Sequence, residues 1–148
     1  MSVDFTRMFF KLREDAKIPE RATEGSAGFD LFSLEPYNLM PGNRADISTG
    51  IGVMIPDGHV GMVCPRSGMA IKWGVTVLNG PGIIDHDYRG ELRVILINFS
   101  PMPYHISVGD AIAQIVVIPV VLGGCPSKKR SGGFGSTDQL RLYSGVDP

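Results

Sequence analysis

Asn79-Gly80-Pro81-Gly82-Ile83-Ile84-Asp85-His86-Asp87-Tyr88-Arg89-Gly90-Glu91-Leu92, set between two apolar, β-branched runs, decides how the rest of the chain is read. Its first four residues form a turn cluster, so Val75 to Leu78 and Ile83 to Ile84 are expected as neighbouring extended segments of a β-hairpin. Side chains alternate along an extended chain, which puts Asp85 and Asp87 on one face and Ile84 and His86 on the other. Two carboxylates so placed repel each other. They suit a solvated polar turn, and they equally suit a site where a carboxylate accepts a proton from water or sits near a metal.

Upstream of this stretch the chain reads as short strands separated by turns. Phe9 to Leu12 is expected as a first strand behind a frayed leader. Gly25-Ser26-Ala27-Gly28 precedes Phe29-Asp30-Leu31-Phe32, where Asp30 is a carboxylate embedded in an apolar strand, with structural and functional accounts both open. Ile47, Ile51, Val53 and Ile55 give a strand that ends at Pro56-Asp57-Gly58, and Val60, Met62 and Cys64 continue the alternation on a return strand, which reads as a second hairpin. Arg66-Ser67-Gly68 follows at once. A guanidinium fork, a hydroxyl and a glycine that lets backbone approach a ligand are the ingredients of a phosphate contact. Ser67 is also expected to cap a short helix over Gly68 to Lys72 that stops at Gly74.

Downstream, Arg93 to Phe99 is apolar on both faces after Arg93, so one face meets the core and the other calls for a further cover such as a neighbouring subunit. Ser107-Val108-Gly109-Asp110 marks a turn. Ala111 to Val117 is then a strand in which Gln114 is the lone polar residue, satisfied by backbone or reaching a ligand.

Length and composition set the frame. At 148 residues one domain with a proper core is expected, and 19 Gly with 11 Pro favour a turn-rich, all-β chain. A net charge of −1 argues against a nucleic-acid-coating protein, so an anionic ligand must be met by locally clustered cations and backbone N–H groups. Charged residues interrupt the N-terminus, so no export signal is read there. Ala111 to Gly124 is too short to span a bilayer as a helix. A cytoplasmic or nuclear protein is therefore expected, with no membrane partner, no direct nucleic-acid binding and reduced Cys64 and Cys125. Asn98-Phe99-Ser100 has the form of a glycosylation acceptor but ends an apolar run and is discounted. His59, His86 and His105 have no ligand spacing, which disfavours zinc.

The tail changes character. Lys128-Lys129-Arg130-Ser131-Gly132-Gly133-Phe134-Gly135-Ser136-Thr137 is basic and then glycine-rich around one aromatic ring. Composition alone says flexible arm, and the same residues are what a lid over a nucleotide needs. The boundaries expected are a core over about 9–122 and a lid arm over about 123–148, within one domain.

Five stretches in order resemble the trimeric dUTP pyrophosphatases (dUTPases). They are Ala27 to Ser33, Pro65-Arg66-Ser67-Gly68-Met69-Ala70, the Asn79 to Leu92 stretch, Gly109 to Gln114, and Gly132 to Thr137. The resemblance implies a jelly-roll-like β-barrel with one short helix and an extended C-terminal arm. It also implies a homotrimer that hydrolyses dUTP to dUMP and pyrophosphate with Mg²⁺, limiting uracil in DNA and supplying dUMP for thymidylate synthesis.

By that resemblance Asp85 is the base that deprotonates the water attacking the α-phosphorus. Tyr88 lies under the deoxyribose where a 2′-hydroxyl would clash. Asn79 and the backbone at Gly82, Ile83 and Ile84, with Arg93, read the uracil edge. Arg66, Ser67, Gly68 and Gln114 hold phosphates from a neighbouring chain, and Asp30 touches Mg²⁺ only through water, the direct ligands coming from the triphosphate. Phe134 stacks on uracil, with Gly135, Ser136 and Thr137 on the phosphates. Two positions depart from the family pattern. Lys129, followed by Arg130, stands where an arginine is usual for the γ-phosphate, and Asp138 stands where glycine usually follows Thr137. The rival readings are a non-catalytic trimeric nucleotide-binding or regulatory module, and an enzyme like the related dCTP deaminases.

Overall fold

The computed structural model describes residues 7–124 and Gly132. Ten strands and one helix follow in order: β1 (Phe9–Lys11), β2 (Phe29–Phe32), β3 (Tyr37–Leu39), β4 (Arg44–Val53), β5 (His59–Cys64), α1 (Ser67–Trp73), β6 (Val75–Val77), β7 (Gly82–Ile84), β8 (Glu91–Asn98), β9 (Tyr104–Ile106) and β10 (Ala111–Pro119). They form two four-stranded sheets, ordered β1-β4-β8-β6 and β2-β10-β5-β7, and a β3-β9 ribbon. Every strand pairing is antiparallel. Consecutive strands repeatedly change sheet, as in a jelly roll, and among the described residues the hydrogen bonding does not close into a continuous barrel.

Both expected hairpins are corrected by this topology. β6 pairs with β8 while β7 pairs with β5, so the Asn79 to Pro81 turn carries the chain from the edge of one sheet to the edge of the other. Likewise β4 and β5 lie in different sheets on either side of the Pro56-Asp57-Gly58 turn. A turn signal fixes where the chain reverses, but an apolar strand face is buried as well against a facing sheet as beside a neighbour.

Alternation decides which side chains enter the core. On β8 Leu92, Val94 and Leu96 are fully buried while Glu91, Arg93, Ile95 and Ile97 are half-buried on the other face. Leu31 of β2, Ile47 of β4, Val63 of β5, Val75 of β6, Ile106 of β9 and Ile115 of β10 join the same cluster, so the two sheets share one core. Full burial of each Leu, Ile or Val contributes roughly 1.5–3 kcal/mol. Asn98 is also fully buried, its amide donating to the carbonyls of Leu39 (3.0 Å) and Met102 (2.7 Å), so it is no glycan acceptor. Among the described residues no helix is long and apolar enough to cross a membrane.

Helix α1 stops at Gly74, whose φ of 63° is left-handed and whose N–H returns to the carbonyl of Ala70. Its start differs from expectation. Arg66 occupies the cap position in extended conformation with no side-chain cap bond, and Ser67 is the first helical residue. Arginine carries no side-chain acceptor for the helix N–H groups, and its guanidinium donates to Asp30 and to the carbonyl of Ala111 instead.

Candidate active site

Of the residues singled out in the sequence, those among the described residues that are assigned to substrate or metal line two separate pockets that share no lining residue. The larger, about 860 Å³, includes Gly28, Asp30, Cys64, Arg66, Ser67, Gly68 and Gln114 in its walls. β10 runs between β2 and β5, and its Gln114 stands opposite Asp30 on one side and Cys64 on the other. Directly opposed residues project from the same face of a sheet, so these three side chains make one floor. Arg66 then reaches back over it, its Nε donating to Asp30 Oδ1 at 3.1 Å and its Nη1 to the Ala111 carbonyl at 3.1 Å. The fork is thereby held while Ser67 and Gly68 at the helix start remain exposed. Gln114 Nε2 donates to the Pro65 carbonyl at 3.0 Å, which is the backbone satisfaction weighed for it, and Gln114 still lines the cradle.

Burial pushes the Cys64 thiol above its ordinary value, which makes it a neutral wall of this cradle rather than a thiolate nucleophile. Tyr104 is also raised, by burial first and then by the Asp110 charge, with Arg66 opposing, so its phenol stays neutral there. Buried Gly28 packs under Gln114 so closely that an added Cβ would collide with Gln114 Oε1. Gly28→Ala is therefore expected to swing the Gln114 amide off Pro65, at small cost to stability because the clash is with the far end of a flexible side chain. Losing one positioned hydrogen bond, about 0.5–1.5 kcal/mol, raises KM for a phosphate-bearing substrate about two- to tenfold. Steady-state kinetics beside a melting curve tests this. A lowered Tm with KM unchanged would make the Gly28–Gln114 contact purely structural.

The smaller pocket, about 170 Å³, is lined by Val63, Asn79, Gly82, Ile83, Ile84, Asp85, Tyr88, Glu91, Arg93 and Ile95. It lies where the chain crosses from β6 to β7 and back to β8, so one short segment supplies backbone from one sheet and side chains from the other. The Asn79 amide rests over Gly82, where an added Cβ would come within 3.2 Å of its nitrogen. After Ile84 the extended conformation ends: the Tyr88 N–H donates to the Asp85 carbonyl at 3.1 Å, closing a turn. The expectation that Asp85 and Asp87 share a face is thus corrected. Asp85 is half-buried and lines the pocket, whereas Asp87 is exposed and lines neither pocket. The Tyr88 hydroxyl donates to the Glu91 carbonyl at 2.7 Å.

Arg93 lines the pocket with its guanidinium partly engaged. Nε donates to Asp46 Oδ2 (2.8 Å), Nη2 to the Asp46 carbonyl (3.0 Å) and Nη1 to Glu91 Oε2 (3.1 Å). Neither Asp46 nor Glu91 was singled out from the sequence. Glu91 stands in the deciding stretch, and a charged residue opening an apolar strand is a signal, but besides Arg93 its partners Ser48 and Gly50 lie on β4, more than forty positions away. Burial disfavours the Glu91 carboxylate, yet hydrogen bonds from Ser48, the Gly50 N–H and Arg93, together with the Arg93 charge, outweigh it and lower its pKa. It is an anion at neutral pH. Lys129, Arg130, Phe134, Gly135, Ser136 and Thr137 lie outside the described residues.

Among the described residues no three His, Cys, Asp or Glu side chains converge on a point that could hold a metal ion. The cradle offers hard oxygen donors on two carboxylates, Asp30, engaged by Arg66 through Oδ1, and Asp110, which accepts from the Ser107 N–H through Oδ2. Such a set fits a cation arriving with its own oxygen ligands and touching protein through water, as Mg²⁺ commonly does.

The dUTPase family model matches residues 14–138. A deoxyuridine 5'-triphosphate nucleotidohydrolase of Hydrogenobaculum sp. (strain Y04AAS1) is 48% identical over 135 residues, covering 86% of this chain and 94% of the relative. That of Chlamydia pneumoniae is 48% identical over 140 residues, covering 88% and 97%. Among solved structures, the dUTPase of Streptococcus mutans superposes with a TM-score of 0.73 at 26% identity, covering 80% of this chain and all of that one. A mutant dUTPase from phage phi11 of S. aureus, described for its coordination of a structural Mg(II) ion, gives 0.74 at 28% identity, covering 84% and 97%.

Proposed function

This chain belongs to the dUTPase family, and from that premise we propose that it hydrolyses dUTP to dUMP and pyrophosphate at a site assembled from the two pockets. The observation that carries the reading is that Asp85 lines one pocket together with Asn79, Tyr88 and Arg93 while Arg66, Ser67 and Gly68 line a different one.

In the smaller pocket Asn79 and the backbone of Gly82, Ile83 and Ile84 face the uracil edge, assisted by Arg93, in a space too small for an extra methyl. Tyr88, held by its hydroxyl on the start of β8, forms the wall against which a ribose 2′-hydroxyl collides. Asp85 accepts the proton of a water whose oxygen attacks the α-phosphorus. The bond from that phosphorus to the bridging oxygen breaks, and pyrophosphate leaves with the electron pair. Arg66, Ser67, Gly68 and Gln114 hold phosphates, and the arm residues Phe134, Gly135, Ser136 and Thr137, with Lys129 or Arg130 on the γ-phosphate, complete the enclosure. Asp30 would hold Mg²⁺ through water, and the ion would supply charge neutralisation for the triphosphate and the departing pyrophosphate.

Homotrimeric assembly with shared sites is part of this proposal. Supporting it are the disjoint pockets, the half-buried Ile95 and Ile97 on the outer face of β8, and Val121 and Leu122, which are 95% and 63% exposed just after β10. The end of β10 at Pro119 supports a core over about 9–122, and the lid arm proposed over about 123–148 falls, apart from Gly123, Gly124 and Gly132, outside the described residues.

Incubation with dUTP and with dCTP tests the function. Pyrophosphate released from dUTP, with no ammonia from dCTP, is the expected result. Ammonia would favour the deaminase-like reading, and binding without any product would favour the non-catalytic module.

A further inference from the structure

Glu91 opens β8 at the wall of the smaller pocket, and its carboxylate takes three protein donors. Oε1 accepts from the Ser48 hydroxyl and from the Gly50 N–H (2.7 Å), and Oε2 accepts from Arg93 Nη1 (3.1 Å). The first two come from an irregularity in the opposite strand. The β4–β8 register runs from Ser48 opposite Arg93 to Gly52 opposite Glu91, so β4 spends more residues than β8 across that step. Gly50 stands in the bulge with φ at 68°, and an added Cβ would come within 2.8 Å of the Ala16 Cβ. Such a bulge takes its N–H out of the backbone ladder, and the Glu91 side chain supplies the acceptor instead.

The same residue reaches the other wall of the pocket through its main chain, because its carbonyl receives the Tyr88 hydroxyl at 2.7 Å. The start of β8 is therefore pinned on one side to the β4 bulge and on the other to the Tyr88 ring, while Arg93 is oriented between Glu91 and Asp46. We propose that Glu91 is the positioning residue for nucleoside selectivity, setting Tyr88 through the anchored start of β8 and Arg93 through its carboxylate. This rests on the reading above that Tyr88 faces the sugar and Arg93 the base.

The two limbs are separable by substitution. Glu91→Ala removes every side-chain acceptor and releases the bulge. Glu91→Gln keeps one oxygen for Ser48 and Gly50 but presents an amide, a donor, to the donors of Arg93. The experiment measures kcat and KM for dUTP and for UTP with the unsubstituted protein and both variants, alongside Tm. For Glu91→Ala the dUTP-over-UTP ratio of kcat/KM is expected to fall about tenfold or more. For Glu91→Gln the ratio should stay near wild type while KM for dUTP rises about three- to tenfold, more than kcat falls. A purely structural role would lower Tm and leave these parameters unmoved in the folded fraction. If Glu91→Ala does not fold, Glu91→Gln decides alone, since an unchanged KM overturns the proposal. Wild-type ratio and KM in both variants would likewise overturn it. Absence of dUTP turnover in the unsubstituted protein would instead sink the functional reading on which it stands.

Discussion

Asp85→Asn is expected to lower dUTP turnover by about 10²–10⁴-fold while dUTP binding survives, the span attributed to a lost general base. The amide keeps the size of the carboxylate and can hold a water, but it cannot accept that water's proton. In free-energy terms the loss is about 3–5 kcal/mol in the barrier. The hydrogen bond that closes the turn is kept, because it uses the Asp85 carbonyl and not its side chain. Single-turnover hydrolysis and equilibrium binding to a non-hydrolysable dUTP analogue check the two halves. Retention of more than about a tenth of wild-type turnover is incompatible with the proposed base.

An all-or-none effect is expected from mixing two inactive proteins. Asp85→Asn chains lack the base, and chains ending at Lys129 lack Phe134 to Thr137. Each is expected to be inactive as a homotrimer. If base and arm at one site come from different chains, a mixed trimer contains some sites with an intact Asp85 and an intact arm, and activity reappears. If both come from one chain, every site is defective in one respect. Reach permits the crossing: from Val121 to Phe134 an extended chain covers up to roughly 40 Å, enough to pass onto a neighbour in a trimer of small domains. The separation of the phosphate cradle from the Asp85 pocket within one chain points the same way. The measurement is activity after dissociation and reassembly, with trimer composition verified by mass. Mixed trimers that remain inactive would exclude the shared site and leave the hydrolytic function untouched.

The strands at β2, β5, β8 and β10 and the stop of α1 at Gly74 were legible in the sequence. Period-two burial, a left-handed glycine and short motifs are all local properties, written within a few residues of one another. β3 and β9 were not seen, since three-residue strands carry too little alternation to register. The Gln114 amide was left open between backbone and ligand, and the structure gives it a backbone partner within the cradle.

What the sequence by itself determined, then, was local: where strands and turns fall, and which chemically capable side chains stand together in short motifs. Only the tertiary structure decided which strands are neighbours, that the Asn79 to Pro81 turn passes between sheets, and that Asp87 parts from Asp85 at a turn. It alone brought Ser48 and Gly50 of β4 onto Glu91, and Asp46 onto Arg93. The physical reason is that a turn residue acts on its own backbone, whereas strand pairing and side-chain clamps satisfy groups brought together from distant positions. Burial of the whole apolar face selects those partners, and no local pattern records the choice.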